Sequence, residues 1–152
     1  MIKAALTRRT ILAGASLTAL ALVIAPHTAR ADAKAVEDEL KKLFGGKAMA
    51  EGKVKLDVPQ IAENGLVVPL NIDVESPMTE KDYVKSVHVF ADGNPLPTVI
   101  TYHFTPASGK ASASNRIRLA KTQTIIAVAE MSDGSLHMAK ADVKVTIGGC
   151  GG

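Results

Sequence analysis

From residue 53 onward, apolar side chains recur at every second position, and this period of two constrains the chain more than any other feature. "VKLDV" alternates over 54–58. "LVVPLNIDV" (66–74) sets Leu66, Val68, Leu70, Ile72 and Val74 on one face. "VKSVHVFA" (84–91), "TVITYHF" (98–104) and "TQTIIAVAEM" (122–131) continue the pattern. "SNRIRLA" (114–120) turns Ile117 and Leu119 inward, and "LHMAKADVKVTI" (136–147) keeps Ala139, Ala141, Val143, Val145 and Ile147 in register. Successive side chains of a strand point to opposite faces, so this alternation predicts about seven half-buried strands. β-Branched residues dominate the inward positions, as a pleated surface favours. Turn chemistry separates the runs at Asn64-Gly65, Ser76-Pro77, Asp92-Gly93-Asn94-Pro95, Ser108-Gly109 and Asp133-Gly134. Many short strands at this spacing predict an all-β chain, an antiparallel immunoglobulin-like β-sandwich. With no Trp and a single Cys, it must do without the buried tryptophan and disulfide of antibody domains.

The period is different before the strands. In residues 34–44, Val36, Leu40, Leu43 and Phe44 fall at helical spacing with charge elsewhere, and Gly45-Gly46 stops the run. This predicts a short amphipathic N-terminal helix within 32–46. The reading preferred is that it packs on its own domain; the other is that it faces a partner.

Residues 1–31 read as an export signal. Lys3, Arg8 and Arg9 form a positive start, and "ILAGASLTALALVIA" (11–25) is apolar, short for a membrane span and ended by Pro26. Ala29 and Ala31 suit cleavage before Asp32, and Ala31 and Ala33 suit cleavage before Lys34. "TRRTIL" carries Arg8-Arg9 as a twin-arginine arrangement, which points to export in the folded state through that route and to a periplasmic location. An ordinary secretory signal is the alternative. The predicted division is therefore 1–31 signal, 32–46 helix, 47–147 sandwich and 148–152 a C-terminal strip.

Processing reverses the charge argument. The whole chain carries +3, but Lys3, Arg8, Arg9 and Arg30 leave with the signal, which has no acid, so the remainder stands at −1. The basic character is no argument for nucleic acid, nor for a membrane once the signal is gone. The remaining 121 residues suit one domain with a modest core.

The sandwich reads as chemically quiet. His88, His103 and His137 stand in no metal-ligand spacing, and surface strand positions account for them. There is no Gly-x-Ser-x-Gly and no glycine-rich phosphate loop before a helix. "EDE" at 37–39 suits a solvated helix face, and Arg116 and Arg118 the wet face of a strand, although an anion or an acidic partner would fit the two arginines. No metal, cofactor or catalytic residue is expected.

What remains is the ending, Gly148-Gly149-Cys150-Gly151-Gly152, which holds the sole cysteine. Glycines thin and free the backbone. Such a strip is expected to be unpacked and its thiol exposed, reaching roughly 10 Å beyond Ile147 and keeping an ordinary pKa of about 8.5. A redox enzyme wants a depressed pKa and a second, resolving cysteine. The ending instead suits a thiol that is presented to, and activated by, something else: a flexible carrier arm made of peptide. An incidental cysteine on a loose terminus is one alternative. A ubiquitin-like sulfur donor is another, but it needs ATP-dependent activation of its terminal carboxylate, which an exported space does not supply. An intermolecular disulfide is the third.

The twin-arginine start, "IAENGLVVPLNI" (61–72), "RLAKTQTIIAVAEMSDGS" (118–135) and "VKVTIGGCGG" together resemble the SoxY family of bacterial sulfur oxidation, over nearly the whole chain. The resemblance implies a non-enzymatic periplasmic carrier of sulfur intermediates, with Cys150 the covalent attachment site and Gly148, Gly149, Gly151 and Gly152 the carrier arm. It implies a heterodimer with a signal-less SoxZ-like β-sandwich subunit. It also implies three enzymes that act on the arm in turn: a haem-containing thiosulfate-conjugating enzyme, a sulfate-releasing hydrolase and a sulfane dehydrogenase.

Overall fold

The computed structural model describes residues 32–149. The signal expected at 1–31, and Cys150, Gly151 and Gly152, lie outside the described residues. The helix α1 spans Ala33–Phe44. Asp32 caps its start, accepting the Ala35 amide at 2.9 Å, which satisfies one of the otherwise unpaired first-turn donors. Gly45 ends it in the left-handed region (φ 63°), and its amide donates to the Lys41 carbonyl.

Nine strands follow: β1 (Met49–Glu51), β2 (Val54–Asp57), β3 (Ile61–Asn64), β4 (Val68–Val74), β5 (Val84–Ala91), β6 (Thr98–His103), β7 (Ala111–Ile117), β8 (Gln123–Met131) and β9 (Leu136–Ile147). One sheet runs β1-β9-β8-β5-β6, with β3 also on β9; the other runs β2-β4-β7. The expected sandwich is there, with two additions. Runs of three and four residues, "MAE" and "IAEN", are too short to show a period, and they form β1 and β3. Both pair with β9 in parallel, Met49 opposite Leu136 and Ala62 opposite Val145, so the sandwich is not wholly antiparallel. Parallel partners cannot be joined by a tight hairpin, and these lie far apart in the chain.

Val68, Leu70, Ile72 and Val74 of β4 meet Val87, Val89, Ile125, Ala127 and Val143 of the larger sheet in one buried cluster. Leu66, expected on the same face, is 48% exposed, because it sits in the turn before the pleat of β4 begins. Ile147 is 65% exposed. β8 accompanies β9 only as far as Val143, and β3 alone flanks its end.

The outer face of the larger sheet is covered as well. Val36 and Phe44 of α1 pack with Phe90, Ile126, Val128 and Leu136, so the helix belongs to its own domain. Leu43, at the edge of its stripe, stays 43% exposed. Two covered faces explain why β8 is buried almost continuously and does not alternate.

Candidate functional site

The C-terminal strip leaves the body beside two other segments: the turn at Gly65 and the stretch 118–120 after β7. The sequence pattern predicts a strand through Ala120, but β7 ends at Ile117. The side chain of Asn94 takes over there. Its Nδ2 donates to the Arg118 carbonyl at 2.9 Å and its Oδ1 accepts the Ala120 amide at 3.0 Å. Asn94 is itself buried and is held by Gln123, whose Nε2 donates to the same Oδ1 at 2.9 Å. The Gln123 Oε1 in turn accepts the Gly93 amide at 2.8 Å. A buried polar group persists only when it is bonded, and here every partner serves to shape the 118–120 stretch. Between the two gripped residues Leu119 turns its side chain fully into the core, as the sequence predicts.

Three backbone hydrogen bonds then tie the segments together. Gly65 donates to the Ile147 carbonyl at 2.7 Å, Leu119 donates to the Gly65 carbonyl at 2.8 Å, and Gly149 donates to the Leu119 carbonyl at 2.8 Å. The approach is close enough to exclude side chains. A Cβ on Gly65 would overlap the Leu119 carbonyl oxygen, one on Gly148 the Ala120 carbonyl oxygen, and one on Gly149 the carbonyl group of Gly65. Gly149 is accordingly buried, whereas Gly148 is exposed.

This corrects one expectation. The first two glycines are held against the body, so the strip is not free from residue 148 onward. Gly148 and Gly149 are glycines because two backbones meet there. By sequence, Gly65 and Asn94 are turn residues and Leu119 an inward-facing one; nothing there joins them to the ending, and nothing singles out Gln123. The one available signal was "NG" at 64–65, which does not say what the glycine faces. Three exposed apolar side chains, Leu66 (48%), Val67 (55%) and Ile147 (65%), lie within two residues of this junction.

The histidines gather no metal site: among the described residues no three His, Cys, Asp or Glu side chains stand together as ligands. His103 is exposed, and the buried Nδ1 of His137 has no hydrogen-bond partner among the described residues. His88 departs from the expected surface position. It is half-buried, with its Nε2 3.1 Å from Ser86 Oγ, its Nδ1 3.2 Å from Thr101 Oγ1, and the Phe44 ring edge-on at 5.3 Å. Burial, aided by the nearby charge of His103, holds its pKa below the usual 6.5 against a weaker upward pull from Glu130. The cleft at His88 is also lined by Glu130, which pairs with Leu136 at the start of β9. The glycine junction lies at the other end of that strand, on the order of 30 Å away at the rise of a β-strand, so the two are separate features. Arg116 and Arg118 are exposed, as expected.

No curated relative matches the chain by sequence. Among solved structures, the sulfur carrier protein SoxY from Chlorobium limicola f thiosulfatophilum is 30% identical. It superposes with a TM-score of 0.63 over 76% of this chain and 100% of its own. A superoxide reductase (neelaredoxin) from Ignicoccus hospitalis superposes at 0.56 with 15% identity, over 62% of this chain and 80% of its own. A putative superoxide reductase from Thermotoga maritima superposes at 0.52 with 19% identity, over 70% and 89%. These two share the fold alone. The family model for the sulfur oxidation protein SoxY matches residues 40–150, a span that takes in the sandwich, the glycine junction and the cysteine. The chain belongs to the SoxY family of sulfur oxidation proteins.

Proposed function

We propose that the protein is a non-enzymatic carrier that holds sulfur intermediates covalently on Cys150 during periplasmic thiosulfate oxidation. The observation that carries this reading is the ending Gly-Gly-Cys-Gly-Gly, attached to the last strand of a SoxY-family domain. In the first step the outer sulfur of thiosulfate bonds to the Cys150 sulfur. The thiol proton leaves, and two electrons pass to the haem of the conjugating enzyme. Water then cleaves the sulfonate from the adduct, releasing sulfate and two protons and leaving a persulfide on Cys150. The sulfane dehydrogenase oxidises that remaining sulfur. In this reading the partner enzymes supply the chemistry of each step, and the body is what they grip.

Supporting features are the twin-arginine start at Arg8-Arg9 and a near-neutral mature surface that does not oppose association with a SoxZ-like subunit. Folded export would carry such a signal-less partner along.

The test is the intact mass of the protein taken from the periplasm of thiosulfate-grown cells, before and after reductant. Mass increments made of sulfur and oxygen that reductant removes are expected, on a chain shortened at its N-terminus and found with a second small β protein. A reductant-sensitive doubling of mass with no other adduct would instead make the chain an interaction module whose tail cysteine forms an intermolecular disulfide.

A further inference from the structure

We infer that the open side of the sandwich, between the free edges of β6 and β7, takes an extended acidic segment of a partner protein as an added strand. Unpaired edges occur at β1, β2, β3, β6 and β7. Proteins blunt such edges by shortness, charge or proline. β1 and β3 have three and four residues and carry Glu51 and Glu63, and β2 has four with Lys55 and Asp57. β7 carries Arg116. β6 has six residues, Thr98–His103, and no Asp, Glu, Lys, Arg or Pro among them. A bulge at its start, where Val89 pairs with Ile100 and Phe90 with Thr98, leaves Ile100–His103 regular.

The geometry of the pair names the outward groups. Phe104 donates its amide to the Lys85 carbonyl. In this antiparallel register Ile100 and Tyr102 therefore bond to β5, while Thr101 and His103 turn both backbone groups away from it. β6 has no neighbour on that side. On the face toward the smaller sheet, Ile100, Tyr102 and Phe104 stand at every second position and are only half-buried. An added strand with apolar side chains at alternate positions covers them and pairs with Thr101 and His103.

Charge selects the partner. Residues 93–129 contain Lys110, Arg116, Arg118 and Lys121 and no Asp or Glu. The mature chain stands at −1, so its other residues carry −5. Lys110 meets Asp73, but Arg116 and Arg118 pair with no carboxylate among the described residues. The two arginines line a cleft with Leu96, Val99 and Ile117, and Leu96 is 72% exposed. A second copy is a poor occupant, because two-fold pairing sets the same patch against itself and brings arginines to arginines. A partner strand with an Asp or Glu at the end that reaches Arg116 and Arg118 satisfies both. Nothing in this depends on what Cys150 carries.

The test gives the full mature protein two short probe peptides. Both alternate valine with threonine; one begins with two glutamates and the other with two lysines. The glutamate peptide should shift the amide resonances of Thr101 and His103 and slow their hydrogen exchange at least fivefold at saturation. The lysine peptide should bind at least tenfold more weakly, and Arg116→Glu combined with Arg118→Glu should reverse that order. No shift with either peptide overturns the docking edge, and equal affinities overturn the acidic partner. Protection of Thr101 and His103 without peptide, in a dimer seen by light scattering, would give the edge to a second copy and overturn the partner.

Discussion

Gly65 and Gly149 lie back to back, so close that a Cβ on Gly149 would occupy the space of the Gly65 carbonyl group. The two positions differ in what the chain can do about an added side chain. Gly149 is three residues from the end of the sequence, and residues 148–149 can peel away at the loss of little more than one backbone hydrogen bond, about 0.5–1.5 kcal/mol. Gly65 is mid-chain and bonded on both sides, so the body itself must shift. Gly65→Val should cost about 1–3 kcal/mol as an overpacking change, and Gly149→Val distinctly less. Urea unfolding midpoints at unchanged slope measure both. Equal costs would mean that the two backbones do not meet as described.

Cys150→Ser removes the only thiol from a position after the last strand. Stability should stay within about 0.5 kcal/mol of the parent, export and partner binding should persist, and thiosulfate-dependent turnover should vanish. Turnover above background, assayed with the partner enzymes, counts against the carrier.

Phe44→Ala empties the contact that holds α1 on the outer face of the larger sheet. Phe44 is buried beside Phe90 and Val128 and makes a T-shaped contact with the His88 ring. A loss of about 3 kcal/mol is expected, with the exchange protection of residues 33–44 falling first. A change below about 1 kcal/mol would mean that the helix is only loosely attached.

His88 makes stability depend on pH. Its pKa is lowered in the folded protein, first by burial and then by His103, with Glu130 opposing. The unfolded chain, near 6.5, therefore takes up the proton more readily. The contribution is complete above that value and is lost as pH falls below it toward the folded pKa. Thermal midpoints from pH 8 to pH 5 should drop more steeply for the parent than for His88→Gln. Parallel curves would remove His88 from the account.

The two candidate signal-cleavage sites differ in a measurable way. A chain beginning at Asp32 retains the side chain that caps α1 through the Ala35 amide, and one beginning at Lys34 does not. The longer chain should be more stable by about 1 kcal/mol, which unfolding of the two purified forms checks directly.

Much of this protein is legible in its sequence. β5 and β9 have the bounds that their alternation predicts, α1 has its stripe and its glycine stop, and Ile117 and Leu119 turn inward as their spacing requires. Those features follow from side-chain period and local turn chemistry, which act between near neighbours in the chain. The attachment of the cysteine to a glycine strip was equally plain. The reason for two of those glycines was not. That Gly65, Leu119 and Gly149 meet, that "MAE" and "IAEN" become strands along β9, and that His88 is roofed by Phe44 all depend on contacts between residues far apart in sequence. A glycine that serves as hinge and a glycine that serves as contact are the same letter. Only the tertiary fold, by bringing one backbone within hydrogen-bond reach of another, decides that Gly149 closes the body and leaves Cys150 as the next residue out.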